Sequence, residues 1–561
     1  LGAAALCVIW CFSWAQAQKP KPAPKVEKPL GAISGAATAD DGQPLPELSI
    51  SVTSVRVASD RLSFTPKPKP DGKFRADGLP PGLYRVTASA PGYVQLTDEN
   101  APDGYRPGAT ANLRLTRGGA LTGAVTEEDG SPAVAVSVRA VRLRDERGQP
   151  VREGYSRNDM TDDRGVYRIW GLAAGVYVVA TGTLPDWTLV APDGMPPFYY
   201  PNGPAETAQA IELANGQEVT GLDMRRRRAA GHKLSGTIGG AVGKDARNLN
   251  IYLLQAKTGG LEREIDVAQR DGAHVFVAED VPDGEYELIA LRYDRERPAE
   301  AAPQRVTVRG EDVTGLAFDL LESAQIMGRV VVEKNEALKN KPECAPPARA
   351  LVEEIGLRWL RAEKKPPPAS PFSYVKDAPL ELPDEDGNFK APAVRAGFYR
   401  LTASLPVPQW FVRAATLPGA PPKDAGRGGF AIANGAQIKD VTVLVSDGAA
   451  SLSGRVAPAR EGVALPENLA VYLVPAEKEA ADDVLRYSFA PRTRDGLFSF
   501  NNLAPGRYWL AVEATDGPRP AFWDADARLQ LRRRAEAARR AVTLNPCQRA
   551  EGYKLACEPP R

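Results

Sequence analysis

The chain is 561 residues long, too long for a single hydrophobic core. Its 43% apolar content and mean hydropathy of −0.31 are those of folded soluble domains and exclude wholesale disorder. Lys+Arg 71 against Asp+Glu 70 leaves a net charge of +1, so no global field draws the protein to nucleic acid or to an anionic membrane.

The N-terminal segment predicts the compartment. Leu1 to Trp14 carry no charge, Ala15-Gln16-Ala17 is a small-x-small cleavage pattern, and Lys19-Pro20-Lys21-Pro22 opens a Pro/Lys-rich linker over 18–29. This is the layout of a secretory signal over 1–17 that lacks its starting Met and basic region. The expected location is periplasmic, cell-surface or secreted. A retained anchor is the alternative, although the apolar run is shorter than the ~20 residues of a span. Trp10 is too bulky to precede a lipidated Cys11, and no transmembrane segment is expected in the mature chain. Without the signal three cysteines remain. Cys547 and Cys557 are close in sequence and predict a disulfide in the C-terminal tail, with Cys344 alone.

From residue 30 onward one pattern recurs five times: an aromatic, then Leu or Val, Gly and Tyr at fixed offsets. The copies are Phe74, Leu79, Gly82, Tyr84; Tyr167, Leu172, Gly175, Tyr177; Phe276, Val281, Gly284, Tyr286; Phe389, Val394, Gly397, Tyr399; and Phe498, Leu503, Gly506, Tyr508. Asp71-Gly72, Arg164-Gly165, Asp386-Gly387 and Asp495-Gly496 precede four of the aromatics as hairpin-turn signals. In the third copy Asp271-Gly272 lies further upstream and reads as a lengthened turn. Each motif follows a short strand with an apolar residue two before a glycine: Ile33/Gly35, Leu121/Gly123, Leu234/Gly236, Ile326/Gly328 and Leu452/Gly454. Those glycines are roughly 90–125 residues apart, near the ~100 residues of a seven-stranded sandwich. The predicted units are 30–117, 118–228, 229–322, 323–447 and 448–545, with a tail over 546–561 and a semi-extended overall row. Within the last unit, 524–541 is acidic at its start and basic at its end, which predicts a helix packed on the sandwich.

Asp-Gly-x-Phe followed by Leu-x-Pro-Gly-x-Tyr resembles the carboxypeptidase regulatory-like domain, a transthyretin-like β-sandwich. It is similar also to collagen-adhesin B-type repeats of bacterial surface proteins and to starch-binding-like sandwiches. The resemblance implies an all-β tandem array of about five transthyretin-like or immunoglobulin-like β-sandwiches with a short C-terminal helix. The adhesin relatives' isopeptide cross-link needs an acid four residues past the motif Tyr. Ala88, Thr181, Ala290, Ala403 and Val512 stand there, so no such cross-link is expected.

No catalytic residue, metal ligand set or cofactor motif emerges. The two histidines, His232 and His274, belong to one repeat and lack zinc-ligand spacing, and His274 reads as an exposed or turn residue. The turn acids Asp40-Asp41, Glu128-Asp129, Asp162-Asp163 and Asp384 to Asp386 read as turn formers before calcium ligands. Arg225 to Arg228 reads as a solvated junction. The candidate ligand-binding residues are Trp187, Asp193, Phe198, Tyr199, Tyr200 and Asn202, around a Pro-rich insertion of the second copy: rings to stack on sugars, polar groups for hydroxyls. The rival reading is a loop that plugs the sandwich. Trp410 and Phe522-Trp523 occupy comparable places. The sequence thus predicts a non-catalytic binding or adhesion protein with a polysaccharide or another envelope protein as partner. A structural spacer is the alternative, and an accessory subunit of a secreted enzyme the third.

Overall fold

A computed structural model describes residues 30–55, 61–96, 104–146, 148, 151, 156–181, 198–204, 207–226, 231–243, 248–256, 261–294, 297–344, 350–362, 380–418, 423–424, 426, 429–459, 465, 469–491, 496–514 and 522–557. The signal and linker expected over 1–29, and Trp187 and Asp193, lie outside these residues. Strands make up 59% of the described residues. They form five successive sandwiches, each with its own apolar core.

One pairing scheme repeats in all five. The opening strands are Gly31–Ala39, Gly119–Thr126, His232–Gly240, Ala324–Glu333 and Ala450–Pro458. Each pairs antiparallel with the strand carrying the motif aromatic and parallel with the last strand of its unit. The upstream glycines sit directly opposite the aromatics: Gly35 to Phe74, Gly123 to Tyr167, Gly236 to Phe276, Gly328 to Phe389 and Gly454 to Phe498. The ring lies where a Cβ would be, and a carbonyl oxygen is pressed against the same spot, within 1.8–2.2 Å of the missing Cβ. It comes from the last strand in four units and from Leu222, just before the short last strand, in the second. Only glycine allows that approach. The motif Tyr closes the core: Tyr84, Tyr177, Tyr286 and Tyr508 are buried, and each donates its hydroxyl hydrogen to the carbonyl four residues earlier at 2.6–2.9 Å. That bond ties the turn before the strand to the strand itself, as in a tyrosine corner.

The third unit differs from the expected lengthened turn. Asp271 and Gly272 have φ of 49° and 80°, the geometry of a two-residue hairpin turn joining Leu261–Arg270 to Ala273–Val281. Leu261–Arg270 also pairs with Leu249–Gln255, and Ala299–Glu300 bridges Gly284–Arg292 to Val313–Glu322, so the two sheets close into a ring.

The fifth unit corrects three expectations about the C-terminus. Residues read as a tail form its last strand, Arg549–Cys557, parallel to Ala450–Pro458. An extended strand advances ~3.3 Å per residue, which carries Cys557 about 30 Å from Cys547, whereas a disulfide needs Cα atoms within ~7 Å. Cys547 is instead bonded to Cys344, with Cα atoms 5.2 Å apart, and Cys557 is buried in the fifth core. The helix spans Ala525–Ala537, shorter than 524–541, because Ala541–Leu544 already pairs with Gly506–Ala514. Asp524 caps it by accepting from the amides of Asp526 and Ala527. Leu531 and Ala535 pack on Tyr472, Val474 and Ala511, which is why Leu469–Pro475 is buried on both faces.

Candidate functional site

The insertion of the second sandwich is woven into the sheet. Phe198–Tyr199 pairs with Ala180 and Thr181, and Tyr199 exchanges backbone hydrogen bonds with Gly203 at 2.7 and 3.0 Å. Strand alternation then sends neighbouring rings to opposite faces. Tyr199 is wholly buried on the outer face of the sheet with Val141, Val178 and Ala180, and Tyr200 packs on the main core. Phe198 is half-buried; Asn202 is exposed, with its Oδ1 accepting from the Arg225 amide at 2.7 Å. Tyr199 is therefore no sugar platform. Its signal in the sequence, an aromatic beside Pro and Asn, is shared by binding loops and by plugs. Replacing Tyr199 with Leu should cost about 1–2 kcal/mol of stability in this sandwich through lost packing. Calorimetry should register that shift. An unmoved melt would show the ring to be a surface group.

The other candidates divide similarly. His274 is buried in a strand opposite Ile238 and Gln269, not exposed in a turn, because the hairpin lengthens that strand. His232 Nε2 lies 3.4 Å from Asp283 Oδ1. The turn acids bind backbone: Asp162 accepts from the amides of Arg164 and Val166, Asp384 from those of Asp386 and Asn388, and Asp129 from that of Ser131. Among the described residues no group of three His, Cys, Asp or Glu is placed to hold a metal, and no helix is long and apolar enough to cross a membrane. Arg226 departs from the solvated expectation: it is buried and paired with Glu127 at 3.3 Å.

The residues that sequence reasoning missed lie at the joints. Thr110–Arg117 runs into Gly119–Thr126 through Gly118 alone, and Val313–Glu322 into Ala324–Glu333 through Ser323 alone. Gly448-Ala449 is the whole link before the fifth sandwich. Between sandwiches three and four, Arg395 and Glu300 form a two-point ion pair at 2.8 and 3.1 Å, both largely buried. Between four and five, Asn502 Nδ2 donates to the carbonyls of Val407 and Trp410, each at 2.7 Å. Arg400 of the fourth lies 4.3 Å from the ring centre of Trp523, and burial pulls its guanidinium down to about 10. The Cys344–Cys547 bridge adds a covalent tie between the same two units. Sandwich one reaches back to sandwich four. Arg106 donates to the carbonyls of Glu354 and Ser404 and to the Ser404 hydroxyl, all at 3.0 Å, and Leu83 meets Gly356. The expected semi-extended row is thereby folded back on itself.

Comparison with known proteins gives a match for the first sandwich: residues 32–116 fit the family model of the carboxypeptidase regulatory-like domain. No curated protein matches the chain. Among solved structures, a Streptococcal ancillary pilin is 13% identical over 52% of this chain and 99% of its own, at a TM-score of 0.17. The major pilin subunit of Bacillus cereus is 9% identical over 52% and 100%, at 0.13. The Bacillus anthracis TIE protein is 16% identical over 52% of this chain at 0.14, and the match spans 51% of that protein. The first sandwich thus matches the carboxypeptidase regulatory-like domain in sequence, and the four that follow repeat its motif residues on equivalent strands.

Proposed function

We propose that the chain is a non-catalytic, exported adhesion or assembly protein whose sandwiches are braced into one body. Its partner is a polysaccharide or another protein of the cell envelope. The observation that carries this reading is the construction of the joints. One- and two-residue links leave few free torsions, and the Arg106, Arg395 and Asn502 contacts bind units that are otherwise separate cores. A flexible array needs none of these. A body that presents surfaces at fixed separations does. The Cys344–Cys547 bridge supports an oxidising compartment, and the family match of residues 32–116 supports a regulatory-like rather than a catalytic module.

The test is fractionation and cross-linking of producing cells, with X-ray scattering from the purified chain. The chain should be found outside the cytoplasm and cross-link to an envelope component. Arg106→Ala combined with Arg395→Ala should lengthen the particle. Recovery in the cytoplasm, or turnover of a peptide or glycan by the purified chain, would overturn the reading.

A further inference from the structure

The fifth sandwich carries a run of arginines, and the structure divides them into two groups. Arg528 donates to the Phe522 carbonyl and faces Asp482, Arg532 donates to the carbonyls of Pro475 and Ala476, and Arg534 forms a two-point pair with Glu513. These three fasten the helix Ala525–Ala537 to the sheet. Arg533 and Arg539 make no ion pair among the described residues. With Arg507, which comes from the strand Gly506–Ala514, they converge on a hollow of about 630 Å³. Trp509, two residues along the same strand, lines the hollow with its ring half-buried and the Arg507 guanidinium 5.4 Å from its centre. Glu536 is the one acid in the lining.

Stabilisation of a helix C-terminus by cations accounts for Arg539, next to the C-cap Ala538, and for Arg534 in the last turn. It does not account for Arg507, which belongs to a strand and adds like charge to the same hollow. Three guanidinium groups against one carboxylate leave the hollow cationic, and it is shallow and open to solvent, so it suits one unit of a long polymer rather than an enclosed small molecule. Guanidinium groups pair through two hydrogen bonds with carboxylate or sulfate, the C–H face of a sugar ring can replace the Arg507 guanidinium that lies over the Trp509 indole, and Glu536 can accept from hydroxyls.

We infer that this hollow is a binding site for an acidic sugar unit, a uronic acid or sulfated residue within a polysaccharide. The site rests on the adhesive reading above and supplies its ligand class. Phosphate polymers share the anionic chemistry but lack a pyranose face on each unit, so Trp509 separates the two.

The full chain is run by affinity electrophoresis through gels containing polygalacturonate, heparin, dextran or polyphosphate. Retardation is expected with polygalacturonate or heparin and not with dextran, and it should weaken as salt rises from about 50 to 200 mM. Arg507→Gln with Arg539→Gln should lower affinity at least about tenfold with an unchanged melt, since both side chains are exposed. Trp509→Ala should weaken binding to the sugar polymers and leave any polyphosphate binding alone. Undiminished binding by the folded arginine variant would overturn the site. Equal binding of polyphosphate with no effect of Trp509→Ala would overturn the sugar assignment. If retardation is absent while export and envelope cross-linking persist, the site falls and the adhesive reading stands.

Discussion

Gly236→Ala should unfold the third sandwich, while Gly239→Ala, three residues further along the same strand, should be nearly silent. A Cβ on Gly236 would lie 2.2 Å from the Leu316 carbonyl oxygen and 2.7 Å from the Phe276 ring. Neither neighbour can yield. Leu316 is held in the parallel pairing of Val313–Glu322, and Phe276 is buried against Phe318 with ring centres 5.9 Å apart. Relief requires the last strand to detach or the ring to leave the core, which places the substitution in the exceptional class, above about 4 kcal/mol. At Gly239 the nearest atom is 3.9 Å away. Calorimetry on the two variants should show one transition lost or strongly lowered for Gly236→Ala and the wild-type profile for Gly239→Ala. Matching profiles would remove the close approach as the reason for glycine.

The second large effect is expected from the joint between the fourth and fifth sandwiches. Cys344 and Cys547 are 203 residues apart in sequence, so their bond closes a very long loop. In the chain-entropy model such a loop corresponds to about 5 kcal/mol, more than the short loop of a tail disulfide would give. The bonded atoms sit in a small apolar cluster with Leu338, so the thiols of a reduced chain would also lose their packing. Cys344→Ser or Cys547→Ser should lower the melting of both units and expose the joint to protease. Non-reducing mass spectrometry should recover the Cys344 and Cys547 peptides as one species. A species joining Cys547 to Cys557, or wild-type melting of the serine variants, would contradict the bridge.

The repeated core was legible because its determinants are local. An aromatic, a Leu or Val and a Tyr at constant offsets mark strand positions facing one core, and Asp-Gly or Arg-Gly marks the turn before them. The upstream glycines were visible as a repeat, but their reason was not, since it lies in the carbonyl of a strand some 75 to more than 100 residues away. The Cys344–Cys547 bridge has no local signal, because closeness in sequence between Cys547 and Cys557 is not closeness in space. Arg549 to Cys557 alternates weakly, with Glu551-Gly552 interrupting it, so nothing local announced a strand. Tyr199 was ambiguous because a strand sends adjacent rings to opposite faces, and only the sheet partner decides which face is covered. The joints were illegible in principle: Arg106 and Ser404 belong to units that no short-range pattern connects.

The parallel pairing of first and last strands has a mechanical consequence. In each sandwich the chain enters at one end and leaves at the other, along neighbouring strands. Tension along the chain slides those strands lengthwise past each other, so the bonds between them share the load and must yield together. The resistance then scales with the length of parallel contact. It is greatest where Ala324–Glu333 meets Gln437–Asp447, and least in the second sandwich, where only Glu218–Val219 and Met224–Arg225 bridge to Gly119–Thr126. A stretched molecule should give way there first, paying out one sandwich of slack while the covalently tied fourth and fifth units stay closed.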